Sequence, residues 1–411
     1  MTTVYLVRHA EAEGNVYRRC HGQYDSLLTE RGLKQLPYLA DRFANVPLDA
    51  VYASDLYRAR HTAKAIADRK GMKVRLRPVL REINMGEWED KTWEVLPRIA
   101  PEMFARWQTR PWACEVPGGE TVMQTGDRVL GGVRQLAREW DGKEIVIVTH
   151  GTAIRAILCR VLGYAPEQIG EIGWGDNTCV AKFEIEGEQI RPIYWNDASH
   201  LPEELSTFAK LGWTNSKGVP RTVQAWYRPY DPSSQADRAL LRGFAREFYR
   251  NAYGSTEMLD EEAWMADTDA MAAACPRAVT IGTTKDQAIA LVRLNVCDQS
   301  EPQVGKVGSF VIAEDYRGTG MSGQILGQAI SVYRGLGKDY LCAYVAKENA
   351  RARGFYAKYG FENQGEVQKP EGIHYKMVKK IRVPSVQEEA EDFIWAVSYT
   401  HLRAHETLSD V

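Results

Sequence analysis

The sequence predicts an α/β fold in two domains, and three observations predict it. The chain has 411 residues, too many for one ordinary hydrophobic core. Its first half alternates Val/Ile-rich runs with helical stretches, the pattern of βαβ units around a mainly parallel sheet sandwiched by helices. After a stretch rich in Gly, Ser, Asn and Pro, helical material is followed by a run of strands, an α+β arrangement.

In chain order, strands are predicted at "TVYLV", "DAVYAS" and "EIVIVTH". Helices are predicted between them at "LYRARHTAKAIADRK" and "DRVLGGVRQLAREW". "CVAKFEIEGEQIRPIYWN" reads as a hairpin turning at Glu186-Gly187. "LGWTNSKGVPRTVQ" is the domain boundary. Beyond it come the strands "AVTIGTT", "QAIALVRLN" and "KVGSFVIAE", then helix, strand and helix through "GFYAKYGF". These signals give a first domain over 1–210, a linker over 211–221, a second domain over 222–380 and a C-terminal segment over 381–396. Val397–Thr407, "VSYTHLRAHET", matches the translation of a transposase sequencing adapter. We therefore set 397–411 aside as an artefact and expect the native C-terminus to be missing.

A net charge of −2 argues against nucleic acid or an anionic membrane as the partner. Met1-Thr2-Thr3 runs straight into a strand, and no apolar run approaches the ~18 residues of a membrane span. Seven cysteines are scattered without a CxxC pair, which suggests neither a disulfide framework nor a zinc site. A reducing, cytoplasmic setting is expected.

Two buried-type strands end on histidine, at Arg8-His9 and at His150. Ligands in open α/β sheets bind beyond the carboxyl ends of strands, so the two imidazoles can face one crevice. The third strand ends at Ser54-Asp55, read as a helix N-cap pair, with Arg58 in the first turns that follow. An arginine near a helix N-terminus suits an oxyanion or phosphate.

"LVRHAEAEGN", "DSLLTERG", "ASDLYRARHTA", "LREINMGEWED" and "VTHGTAIR" occur in that order, with "PGGET" and "NDASHL" as accessory matches. Together they resemble the histidine phosphatase (phosphoglycerate mutase-like) superfamily over about residues 1 to 205. The resemblance implies that His9 is the nucleophile and accepts the phosphoryl group. A neutral imidazole can do this near neutral pH. It further implies that Arg8, Arg58, His150 and Asn15 hold the phosphoryl oxygens and that Glu82 protonates the leaving oxygen, then activates water. For that Glu82 should be partly desolvated. Glu89 is the fallback acid, otherwise a surface cap. His21, His61 and His200 are read as structural or rim residues, and no metal is implied. Leu27 and Asp90 replace the family's usual proline and glycine, which we expect to alter only the substrate rim. The loop "MFARWQTRPWACEVPGGE" is read as a lid, with Trp107, Arg110 and Trp112 either on substrate or, for the tryptophans, in the core. "RHAEAEGN" lacks the tryptophan typical of mutases, so a phosphatase is preferred over a phosphoglycerate mutase.

In the second half, "GSFVIAEDYRGTGMSGQILGQAI" sets a glycine-rich turn between strand and helix, where backbone amides can approach a pyrophosphate. With "VAKENARARGFYAKYGF" it resembles the GNAT N-acetyltransferase family. The resemblance implies acetyl-CoA as co-substrate, its pyrophosphate cradled by Arg317, Gly318, Thr319, Gly320, Met321 and Ser322. Phe310 and Ile312 would hold the pantetheine, Asn349 would touch the cofactor, and Tyr356 would protonate the departing thiolate. Ser322 stands where glycine or alanine is usual. No base for the acceptor amine is evident; Glu314 or a water chain are the candidates. The expected partners are a small phosphorylated metabolite, such as a phosphorylated amino compound, and a small-molecule or protein amine. The alternative is a metabolite-binding scaffold in which a pocket binds without turnover.

Overall fold

The computed structural model of the chain describes residues 1–211 and 223–389, with the pair 396–397. Apart from Leu211 the expected linker lies outside the described residues, and so does the adapter-like tail beyond Val397.

The first sheet is built on β1 (Thr2–Arg8), β2 (Ala50–Ala53), β3 (Val74–Leu76) and β4 (Glu144–Thr149), parallel in the order β3-β2-β4-β1. β5 (Val180–Glu186) and β6 (Gln189–Asp197) form the expected hairpin, with Gly187 in the left-handed region, and β5 continues the sheet antiparallel to β1. Both faces of the central strands are buried. Val4, Leu6, Ile145 and Ile147 enter one core, and Tyr5, Val7, Val146 and Val148 the other. That two-sided burial explains the continuous apolar runs in the sequence. The helices are α1 (Glu13–Tyr17), α2 (Glu30–Phe43), α3 (Tyr57–Lys70), α4 (Leu96–Ile99), α5 (Pro101–Thr109), α6 (Val122–Glu139), α7 (Gly151–Val161) and α8 (Thr207–Leu211).

The second sheet contains β7 (Trp226–Pro229), β8 (Val279–Thr284), β9 (Gln287–Leu294), β10 (Val304–Ile312), β11 (Tyr340–Ala346), β12 (Glu362–Lys369) and β13 (Gly372–Lys380), ordered β12-β13-β11-β10-β9-β8-β7. Its helices are α9 (Gln235–Tyr253), α10 (Glu261–Ala274), α11 (Met321–Gly335) and α12 (Ala350–Lys358). β10 and β11 pair in parallel only over Val304–Lys306 and Tyr340–Cys342, then diverge and leave a gap.

The two domains share a packed interface. α1 lies on α11, and Tyr17 belongs to the hydrophobic core of the second domain. Gly327 on α11 permits the approach: a Cβ there would stand 2.5 Å from that of Tyr17. Beside it, the buried Glu13 carboxylate pairs with Arg334 at 2.8 Å.

Both departures from the family pattern lie here, which corrects the expectation that they touch only the substrate rim. The Leu27 N–H donates to Glu13 at 3.2 Å, a bond proline could not make. Asp90 has φ of +56°, where glycine is the easy residue, yet its carboxylate pairs with Arg19 at 2.6 Å and accepts from Ser331 of α11 at 2.5 Å. After β13 the chain returns to the first domain through α13 (Val386–Glu389), where Glu389 holds Arg60 at 2.7 Å and His61 at 2.8 Å. β14 (Ala396–Val397) then adds a parallel edge strand to β3.

Candidate active sites

The register of the first sheet builds the first site. Arg8 lies opposite Thr149, so His9 and His150 leave neighbouring parallel strands at the same level, their ring centroids 5.2 Å apart. The His9 Nδ1–H donates to the Ala10 carbonyl at 2.7 Å, which leaves the Nε2 lone pair free. Burial holds His9 well below the usual imidazole range, helped by the Arg58 and Arg8 guanidiniums, so its ring is neutral at neutral pH. His150 is also held neutral, by burial and then by Arg58, and neither of its ring nitrogens has a hydrogen-bond partner among the described residues.

Arg8 donates to the Gly175 carbonyl at 2.6 Å, while its buried Nε is unpartnered among the described residues. Arg58, the second residue of α3, donates to the carbonyls of Gly22 and Tyr24 at 2.6 and 3.1 Å; the Asp25 carboxylate stays 3.9 Å away. Two buried cations without close carboxylates, beside unsatisfied nitrogens, form a site suited to an anion.

Asn15 turns its Oδ1 onto the Ala12 N–H at 2.9 Å. Glu82 accepts from the N–H groups of Ile83, Thr152 and Ala153 at 2.9, 3.1 and 3.2 Å, which sets its carboxylate at the start of α7, next to His150. The expected Ser54-Asp55 cap is not what starts α3. Asp25 accepts from the Tyr57 N–H at 2.9 Å instead, and Asp55 is drawn off by Arg81 at 2.5 Å. Glu89, expected at the surface if not an acid, is half-buried. It accepts from Gln23 and Met85 N–H at 2.7 and 3.1 Å, and burial pushes its carboxyl up.

His21 meets Ser26 at 3.0 Å, His61 stacks on Tyr57, and His200 bridges Arg42 and Thr178. Trp107 and Trp112 pack against the first-domain core, while Arg110 is exposed. Sequence reasoning missed Arg128 on α6. It donates to the carbonyls of Val79, Arg81 and Glu82 and pairs with Glu120 of "PGGET", which clamps the loop carrying Glu82.

The second site is the gap where β10 and β11 diverge, a cavity of about 280 Å³. Phe310, Ile312, Arg317, Gly318, Ser322, Asn349 and Tyr356 line it. Gly318 and Gly320 have φ of +78° and +81°, and the N–H groups of Gly318, Thr319 and Gly320 have no acceptor among the described residues. Met321 begins α11 behind them. The Arg317 side chain turns away to the Ile312 carbonyl and Glu247. Ser322 meets the Tyr359 hydroxyl at 2.9 Å, and Asn349 caps α12 through the Ala352 N–H.

Burial pushes the Tyr356 phenol up, so it keeps its proton. Glu314 is exposed and outside the cavity lining. A different pair reaches the cavity. Tyr253 lines it and bonds His374 Nε2 at 3.1 Å, while His374 Nδ1 faces the Gly372 carbonyl at 3.0 Å. No sequence motif marks either residue.

A strand-end histidine set between buried arginines defines a phosphoryl-transfer centre, and a glycine-rich turn over splayed strands defines an acyltransferase-type cleft. Residues 4–198 match the family model of the histidine phosphatase superfamily (branch 1), and the chain belongs to that superfamily; residues 239–361 match that of the acetyltransferase (GNAT) family. Over 203 residues the chain is 32% identical to phosphoserine phosphatase 1 of Hydrogenobacter thermophilus, covering 49% of this chain and 96% of the relative. It is 32% identical to a metal-independent phosphoserine phosphatase of Arabidopsis thaliana, covering 49% and 84%. A probable phosphoglycerate mutase, GpmB of Yersinia pestis, is 34% identical over 40% of this chain and 76% of its own. The solved structure of Bacillus stearothermophilus YhfR aligns with 49% of this chain and 99% of its own, at 30% identity and a TM-score of 0.47.

Proposed function

We propose that the chain is a bifunctional enzyme: a phosphomonoesterase working through phosphohistidine, fused to an acetyl-CoA-dependent N-acetyltransferase. The observation that carries the first half is His9, neutral and with Nε2 free, facing His150 between two buried guanidiniums. His9 Nε2 bonds to phosphorus as the ester P–O bond breaks, and Glu82 gives its proton to the leaving oxygen. Arg8, Arg58, Asn15 and His150 hold the phosphoryl oxygens, each well-aimed donor contributing about 3–4 kcal/mol. The Glu82 carboxylate then takes a proton from water as that water attacks phosphorus and frees His9.

The phosphoserine phosphatase relatives favour a phosphorylated amino acid as substrate. Phosphate release from phosphoserine, phosphorylated amines and 3-phosphoglycerate, by the full chain and by His9→Ala, tests this. Release should fall by about a thousandfold or more in the variant. Retained release would overturn the nucleophile assignment. The mutase relative carries a second reading, which isomerisation of 3-phosphoglycerate primed by bisphosphate, without net release, would establish.

The second cleft suits acetyl-CoA, which supplies the acyl group as a thioester. Phe310 and Ile312 flank its pantetheine, and the free N–H groups from Gly318 to Gly320 face its diphosphate. Tyr356 protonates the departing thiolate. His374 takes the acceptor's proton through the Tyr253 hydroxyl, the role for which Glu314 is too exposed.

A further inference from the structure

The loop Gly318–Ser322 separates two cavities. One is the cleft between β10 and β11. The other, about 670 Å³, lies between the two domains, and Gly318 and Ser322 line both. Across the larger cavity from the loop stand α1, Arg18 just after it, and α2 of the phosphatase domain, which adds Arg31 and Lys34 to the wall; Lys358 and Lys379 come from the second domain.

Four carboxylates also line it, but two are committed elsewhere. Glu11 is held by Arg31, Thr29 and Thr207, and Glu13 by Arg334 and the Leu27 N–H. Lys34 is exposed and has no partner among the described residues. Lys379 is half-buried, with no hydrogen bond or ion pair among the described residues, and burial pulls its ammonium down despite Glu13 and Glu30 nearby. A half-buried cation without a partner, beside a loop of free N–H groups, favours an anion.

A ligand whose thioester arm fills the cleft and whose diphosphate meets the loop must carry its far end past the loop. We propose that the interdomain cavity receives the 3′-phosphorylated nucleotide of acetyl-CoA, and that Lys34 of the phosphatase domain completes that site from across the interface. This rests on reading the second domain as an acetyl-CoA enzyme. The phosphatase domain then has a second role beside its own reaction, as part of the acetyltransferase's binding site.

Calorimetric titration of the full chain with acetyl-CoA and with acetyl-dephospho-CoA, which lacks only the 3′-phosphate, tests the proposal. The unaltered chain should bind the dephospho ligand about tenfold more weakly. Lys34→Glu should weaken acetyl-CoA by about tenfold and the dephospho ligand by less than about twofold, and Lys34→Arg should restore the difference. Lys34 lines the interdomain cavity, and Arg8, His9, Arg58, Glu82 and His150 do not, so phosphate release should be unchanged in both variants and reports intact folding. Equal affinity of the unaltered chain for the two ligands, or no loss in Lys34→Glu, overturns the proposal and leaves the acetyl-CoA reading standing. Failure of the unaltered chain to bind either ligand overturns both.

Discussion

His9, His21 and His150 must gain protons when acid unfolds the chain, because burial, and after it the Arg58 guanidinium, holds all three well below the usual imidazole range. His200, brought down to about 4 by burial and Arg42, joins them. Their folded values lie below the unfolded value of about 6.5, so their contribution is complete above that pH. It is lost as pH falls, by about 1.4 kcal/mol per group and pH unit until each folded value is reached. The melting temperature of the ligand-free chain should therefore drop between pH 7.5 and 5.5, and less steeply in His9→Asn, which has no proton to gain. Identical slopes would contradict the neutral, buried imidazole. At this scale most of the phosphoryl site was legible, because Arg8, His9, Arg58 and His150 sit at strand ends and a helix start that apolar patterning marks. Arg128, Tyr253 and His374 were not. They act through contacts between elements distant in the chain, and arginine on a helix or histidine on a strand has no local signature.

At the scale of elements, α6 holds the Glu82 loop through the bonds of Arg128 to Val79, Arg81, Glu82 and Glu120. Arg128→Met keeps the length of the side chain and loses the clamp, so kcat for phosphate release should fall by about a hundredfold with KM little changed. A change in KM alone would assign Arg128 to substrate binding. Asp90 gives a second test with opposing terms. Asp90→Gly relieves a left-handed backbone, worth roughly 1–2 kcal/mol, but leaves Arg19, whose side chain is only 5% exposed, with neutral partners alone, at a cost of about 3–5 kcal/mol. The ion pair should win, and the glycine variant should melt at a lower temperature by calorimetry. Strands β1, β2, β4 to β6 and β8 to β10 followed from apolar runs, and α3 and α6 from helical patterning, whereas β3, β7, β12, β13 and α2 were not read from the sequence. The start of α3 did not follow either, because its cap comes from Asp25, some thirty residues earlier in the chain.

At the scale of the whole molecule, the sequence marks a boundary and the interface does not respect it. Composition locates a Gly- and Pro-rich stretch, but cannot show that Glu13 pairs with Arg334 or that Glu389 returns to Arg60. These buried bridges should make the domains unfold together. One calorimetric transition is expected for the full chain, and a double-mutant cycle of Glu13→Gln and Arg334→Met should show a coupling of about 1–3 kcal/mol. Two transitions with zero coupling would show that the domains are merely tethered.

The placement of Tyr17 bears on inheritance. A recombination event in the Gly-rich stretch would separate two coding units that look complete, yet the first product would bare the ring that the second needs for its own interior. Neither half can be exchanged for a relative's unless α1 and the glycine facing it are exchanged together. A lineage carrying this fusion is thereby held to it, and new substrates for either half must come from point substitutions around existing pockets rather than from shuffled domains.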